Sequence, residues 1–205
     1  MTIHKKTGLF FGTFNPVHVG HIIIANHFAE HSDLDEIWLV VTPHNPFKKK
    51  NTLLPDHHRL EMVYRATQDF EKIRPSDIEF KLPQPNYTVN TLAHLQEKYP
   101  GREFCLIMGE DNLKGLHKWK NYEVILKHHP IYVYPRITAS GQPTEVPRDR
   151  IFKIDAPVIE ISATAIRNDI RDGKNVTPLL HPEVWKYIDE MNFYRSTTPG
   201  QAREA

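Results

Sequence analysis

Residues 7–25 read TGLFFGTFNPVHVGHIIIA. An apolar run, Thr7–Phe11, predicts a strand. A second apolar stretch, in which Ile22, Ile23, Ala25, Asn26 and Ala29 mix apolar and polar faces, predicts a helix over Val19–Glu30. Between them stand Gly12, which permits a tight backbone path and close approach of a ligand, and Pro16, which rules out regular helix just before it. A helix start offers free N–H groups and the positive end of the macrodipole to an anion. His18 and His21, at i and i+3, share one face of that start, and Gly20 leaves room over its amides. From spacing alone three readings stand: a cap plus a core contact, zinc ligands, or an oxyanion clamp on a nucleotide. The zinc reading is the weakest, because no H-E-x-x-H occurs.

Outward from this stretch, strands and helices alternate. EIWLVV (Glu36–Val41), Glu103–Met108 and Ile131–Tyr134 are near-continuous apolar runs, as parallel strands covered on both faces require. Helices are predicted over Pro55–Phe70, Thr88–Lys98, Ala163–Asp172 and Pro182–Met191. A strand is predicted near Ile78–Phe80 within Ile73–Leu82, and short extended segments at Ile151–Ile154 and Val158–Ile161. Pro43–Asn51, with its Lys48–Lys50 triplet, and Pro135–Arg148 read as loops. The fold class is therefore α/β: a single-domain, Rossmann-like parallel sheet with helices on both faces, over residues 1–194. Ligands then bind beyond the carboxyl ends of the strands, near the switch in strand order. Residues 195–205 lack apolar anchors and are expected to be a disordered tail.

Composition narrows the function. The 205 residues are 40% hydrophobic and 25% charged, with a formal net charge of +1. That balance carries no broad footprint for nucleic acid, so an anionic ligand must be held by local charge. The lone cysteine, Cys105, excludes an intrachain disulfide and a Cys-rich zinc site and reads as an inert core thiol. The start shows no secretory h-region, and no run approaches a membrane span of roughly 20 residues. A cytoplasmic protein without a membrane partner is expected. A homo-oligomer is compatible with the sequence but not specified by it.

A second candidate anion site is ISATAIR (161–167). Ser162 is placed to cap a helix, with Thr164 in its first turn and Arg167 one turn along. Capping plus a solvated arginine is the plainer reading of this segment alone. The two motifs together, G-x-F-x-P-x-H-x-G-H early and I-S-x-T-x-I-R late, resemble the HxGH nucleotidyltransferase superfamily. Further segments are PNYTVNTL (85–92), MGEDNL (108–113), LHKWK (116–120), NPFK (45–48), HRLEM (58–62) and the closing Leu180-His181-Pro182. With them the chain, from about Thr7 to Tyr194, is similar to the bacterial nicotinic acid mononucleotide adenylyltransferases.

The resemblance implies adenylyl transfer from ATP to nicotinate mononucleotide, giving nicotinate adenine dinucleotide and pyrophosphate, as a step of NAD biosynthesis. It implies His18, His21 and Arg167 as catalytic residues. It places Gly12, Thr13, Phe14, Lys48, Gly109, Asp111, Ser162 and Thr164 on ATP. It places Tyr87, Thr88 and Trp119 on the mononucleotide, Trp119 stacking on the pyridine ring. Mg2+ is expected to arrive on the ATP phosphates, with no protein metal site. The sequence departs from the family pattern at Phe11, Asn15 and Ala163, where a glycine, an aspartate and a serine are usual. Rival readings are another acceptor (nicotinamide mononucleotide or pantetheine phosphate), a nucleotide-binding regulator and a His-rich metal-binding protein.

Overall fold

The computed structural model describes residues 5–43, 53–136 and 148–196. Six strands form one parallel sheet: β1 (Lys5–Gly12), β2 (Glu36–Val41), β3 (Ile73–Ser76), β4 (Arg102–Gly109), β5 (Ile131–Tyr134) and β6 (Ile151–Lys153), in the order β3-β2-β1-β4-β5-β6. The order reverses between β1 and β4. The crevice for a ligand therefore opens where these two strands end, at Gly12 and Gly109.

The apolar strands feed two cores, because successive side chains point to opposite faces. Phe10, Ile37, Leu39, Cys105 and Ile107 lie in one core, with α1 (Val19–His31), α2 (Asp56–Thr67), α6 (Ala163–Arg171) and α7 (Pro182–Glu190). Leu9, Trp38, Val40, Phe104 and Leu106 lie in the other, with α3 (Thr88–Lys98) and α5 (Tyr122–His128). That division explains why the strands read as unbroken apolar runs. Cys105 is fully buried and its thiol is pushed up to about 12, chiefly by that burial, in line with an inert core thiol.

Several elements differ from the sequence reading. The strand expected near Ile78–Phe80 lies earlier, at Ile73–Ser76. Pro75 has no N–H to give a ladder, yet β3 is an edge strand and tolerates it. Residues 77–82 turn instead, with the Phe80 N–H donating to Asp77 O and the Leu82 N–H to Glu79 O. α4 (Glu110–Gly115) and α5 were not foreseen; at 6 and 7 residues they are too short to show a period. α2 ends at Thr67, whose hydroxyl bonds back to Val63 O. The segment Val158–Ile161 joins no strand and packs over the start of α1, where Ile159 meets Gly20. Residues 44–52, 137–147 and 197–205 lie outside the described residues, and with them most of both predicted loops and of the tail.

Candidate active site

The loop from β1 to α1 borders a cavity of about 700 Å³. Phe14 holds a left-handed backbone, φ 45°, which costs a bulky residue on the order of 1 kcal/mol. Its ring folds back over Gly12, where an added Cβ would stand 2.7 Å from the Phe14 Cζ. The ring also meets His21 edge-on at 5.1 Å. His18 caps α1, and its imidazole stacks on that of His21 with centroids 3.7 Å apart. The His18 N–H donates to His21 Nδ1 at 3.2 Å. A neutral His21 therefore carries its proton on Nε2, which makes that nitrogen a donor.

His18 is buried, 7% exposed, and its Nδ1 has no hydrogen-bond partner among the described residues. Burial and then the Arg136 guanidinium push its pKa down to about 4, so the ring is neutral at pH 7. Gly20 lies directly beneath it: a Cβ there would sit 3.1 Å from His18 Nδ1 and 3.3 Å from Ile159. Gly20→Ala is expected to displace the His18 ring, lowering kcat about tenfold or more while the melting temperature shifts by a few degrees. Steady-state kinetics beside a thermal melt checks this.

The late motif reaches the same cavity. Ser162 caps α6, its Oγ accepting from the Ala165 N–H at 3.4 Å. Arg167 Nη2 donates to Thr164 Oγ1 at 3.2 Å, and Nη1 donates to Asn15 O at 2.7 Å. A guanidinium from α6 thus ties directly into the loop that presents the histidines, 152 residues away in the chain. Thr13, Ser162, Ala163, Thr164 and Arg167 line the cavity together with His18 and His21.

Across the crevice, Gly109 caps α4 and Asp111 stands in its first turn. Asp111 Oδ1 lies 3.8 Å from Arg136 Nε. Arg136 was missed by the sequence reading. It lines the same cavity, two residues past the end of β5, and its buried Nε has no hydrogen-bond partner among the described residues. The rule that ligands sit beyond strand carboxyl ends would have flagged it.

A second cavity, of about 400 Å³, adjoins the first. Tyr87, Thr88 and Trp119 line it, as do Lys118 and Lys120. The Lys120 ammonium lies 4.6 Å over the Tyr87 ring. Tyr87 is the N-cap of α3 and supplies no side-chain bond to its amides, so that helix start stays open to an anion. Glu79, 2% exposed, also borders this cavity. Its Oε1 accepts from Thr91 at 2.7 Å, and burial raises its carboxyl above the ordinary range. Phe11, Thr42 and Asn112 line both cavities and form the seam between them. Glu79 and Asn112 were not singled out from the sequence.

Lys48 lies outside the described residues. The departures from the family pattern have structural settings: Phe11 is at the seam, Ala163 lines the larger cavity, and buried Asn15 accepts through Oδ1 from the Leu54 N–H at 3.2 Å and Tyr194 OH at 2.8 Å. His58 pairs with Tyr187 OH and His129 with Phe104 O. Among the described residues no group of three or more His, Cys, Asp or Glu could hold a metal, and no helix is long and apolar enough to cross a membrane.

The cytidylyltransferase-like family matches residues 9–169. A protein of Flavobacterium johnsoniae named "Probable nicotinate-nucleotide adenylyltransferase" is 67% identical over 93% of this chain and 99% of its own. The chain belongs to the nicotinate-nucleotide adenylyltransferase family. A relative of the same name from Christiangramia forsetii is 66% identical over 94% of this chain and 100% of its own. The fold is also that of the Plasmodium falciparum nicotinic acid mononucleotide adenylyltransferase complexed with NaAD, with TM-score 0.76 at 19% identity, covering 93% of this chain and 98% of that one.

Proposed function

We infer that this chain transfers the adenylyl group of ATP to nicotinate mononucleotide, releasing pyrophosphate. The observation that carries the assignment is the pair of adjoining cavities with a common seam at Phe11, Thr42 and Asn112. The larger, bordered by two histidines and Arg167, suits a triphosphate. The smaller, with an aromatic wall, two lysines and an open helix start, suits a pyridine bearing a carboxylate. Transfer takes place where the two meet.

The 5′-phosphate of the acceptor has a second pKa near ~6 and is already anionic at pH 7. It therefore needs no strong base. One of its oxygens forms a bond to the α-phosphorus as the bond to the bridging oxygen breaks, and pyrophosphate leaves with the electron pair. Catalysis rests on alignment and on charge stabilisation. His21 Nε2–H and the His18 ring donate to α- and β-phosphate oxygens, and Arg167 holds the leaving pyrophosphate. Thr13, Gly12, Phe14, Ser162 and Thr164 shape the phosphate end. Gly109 and Asp111 meet the ribose. Tyr87 and Thr88 meet the pyridine carboxylate while Trp119 stacks on the ring.

Nucleotidyltransferases work with ATP and a divalent metal, and we propose Mg2+ for this chain. Among the described residues the larger cavity offers one acidic side chain, Asp111, which faces Arg136. That donor set fits an ion held by phosphate oxygens and water rather than by a protein cage. When bound, the ion offsets phosphate charge.

The deciding experiment measures pyrophosphate release with ATP and each of nicotinate and nicotinamide mononucleotide. Release with the acid form supports the assignment; no release with either overturns it. Trp119→Ala is expected to raise KM for the mononucleotide about tenfold, the scale of a lost stacking contact, and to leave KM for ATP within twofold. Equal changes in both KM values would count against the stacking role.

A further inference from the structure

Arg59 belongs to α2 and was assigned no role from the sequence. It is the largest fully buried side chain among the described residues, at 0% exposure. Every one of its guanidinium N–H donors is used. Nε donates to Leu54 O at 3.0 Å. Nη1 donates to Thr13 O at 2.6 Å and to Thr42 O at 2.9 Å. Nη2 donates to Pro43 O at 3.4 Å and to Asp56 Oδ1 at 2.6 Å. Asp56 is 40% exposed and is the carboxylate that offsets the charge; the other acceptors are main-chain carbonyls.

Their location explains the need. β1 and β2 run in register as far as Gly12 and Val41, and the Thr42 N–H still donates to Gly12 O at 2.9 Å. Beyond that point the ladder ends. Carbonyls near a sheet end that are buried without partners are costly. Nη1 bridges two of them, one from each strand end. Thr13 borders the larger cavity and Thr42 borders both. Leu54 is held twice, its carbonyl by Arg59 and its N–H by Asn15 of the histidine-bearing loop. One planar cation therefore joins the β1 end, the β2 end and the entry to α2 just behind the seam.

We propose that Arg59 is a positioning residue for the transfer step: it sets the spacing of the β1 and β2 ends and so the alignment of the two substrates at the seam. The proposal rests on the adenylyl-transfer reading above. It explains why a rigid fork stands here. Lysine would keep the charge on one nitrogen but could not bridge Thr13 O and Thr42 O and still reach Leu54 O.

The test compares wild type, Arg59→Lys and Asp56→Ala, each per folded molecule and well below its melting temperature. Wild-type pyrophosphate release with ATP and nicotinate mononucleotide reports on the function itself. ATP-binding calorimetry, which needs no turnover, reports on the loop. With wild type active, Arg59→Lys is expected to lower kcat at least tenfold and to bind ATP several-fold more weakly. Asp56→Ala, which unties one corner of the fork, is expected to lower kcat about threefold. An Arg59→Lys protein of reduced melting temperature whose kcat, KM values and ATP affinity lie within twofold of wild type would overturn the proposal. If Arg59→Lys does not fold, a folded Asp56→Ala with wild-type kcat overturns it equally. Inactive wild type with ATP affinity still lost in Arg59→Lys would remove the substrate assignment and leave the positioning of the loop standing.

Discussion

Replacing His18 by alanine is expected to lower kcat by roughly 100-fold or more, the scale for removing one donor from a preorganised oxyanion site. The ring stands stacked on His21 over Gly20, at the edge of the larger cavity. Its buried Nδ1 has no hydrogen-bond partner among the described residues, so alanine removes no such bond at that atom. Stability should therefore change little, and in one direction with pH. His18 titrates at about 4 when folded, against about 6.5 in an unfolded chain. Between these values the unfolded state binds more protons, so wild-type stability falls as pH drops from 6.5 toward 4. His18→Ala should lose that part of the acid sensitivity. In the free protein His18 stays neutral above about pH 5, so its ionisation should not shape the profile of kcat/KM between pH 6 and 9. Kinetics on folded His18→Ala, with melts at pH 5 and 7, checks both points; normal turnover would sink the role given to this histidine.

Arg167→Ala is expected to be comparably severe, about 100-fold in kcat, because it removes two things together. One is the cation that the proposed mechanism offers to the leaving pyrophosphate. The other is the bond to Asn15 O that ties α6 to the early loop. Arg167→Lys separates them. A lysine retains a charge at the cavity but cannot donate to Asn15 O and Thr164 Oγ1 in the same fork. It should recover part of kcat and leave KM for ATP raised. If alanine and lysine variants are equally impaired, the positioning contact dominates; if lysine restores full activity, charge alone matters.

Much of the candidate site was legible because local rules place its elements. A glycine, a proline and two histidines between a strand and a helix read locally as a loop and a helix start, with an anion clamp one of three readings that the spacing left open until the resemblance favoured it. Ser162 capping α6, with Thr164 and Arg167 a turn apart, follows from helix geometry in the same way. The alternation of unbroken apolar runs with amphipathic segments specifies a two-faced parallel sheet. The chain by itself thus determined the class of fold, the two motifs and, through resemblance, the reaction.

What tertiary structure decided is whatever depends on contacts between distant segments. That β3 falls at Ile73–Ser76 depends on its edge position, which forgives Pro75. That Arg136 faces His18 and Asp111 depends on β4 and β5 lying side by side. The depressed His18 pKa arises from burial and from that same neighbour, neither of which has a local signal. Arg59 reads along the chain as one more helical cation. Only the end of the β1–β2 ladder turns it into the partner of carbonyls from both strand ends.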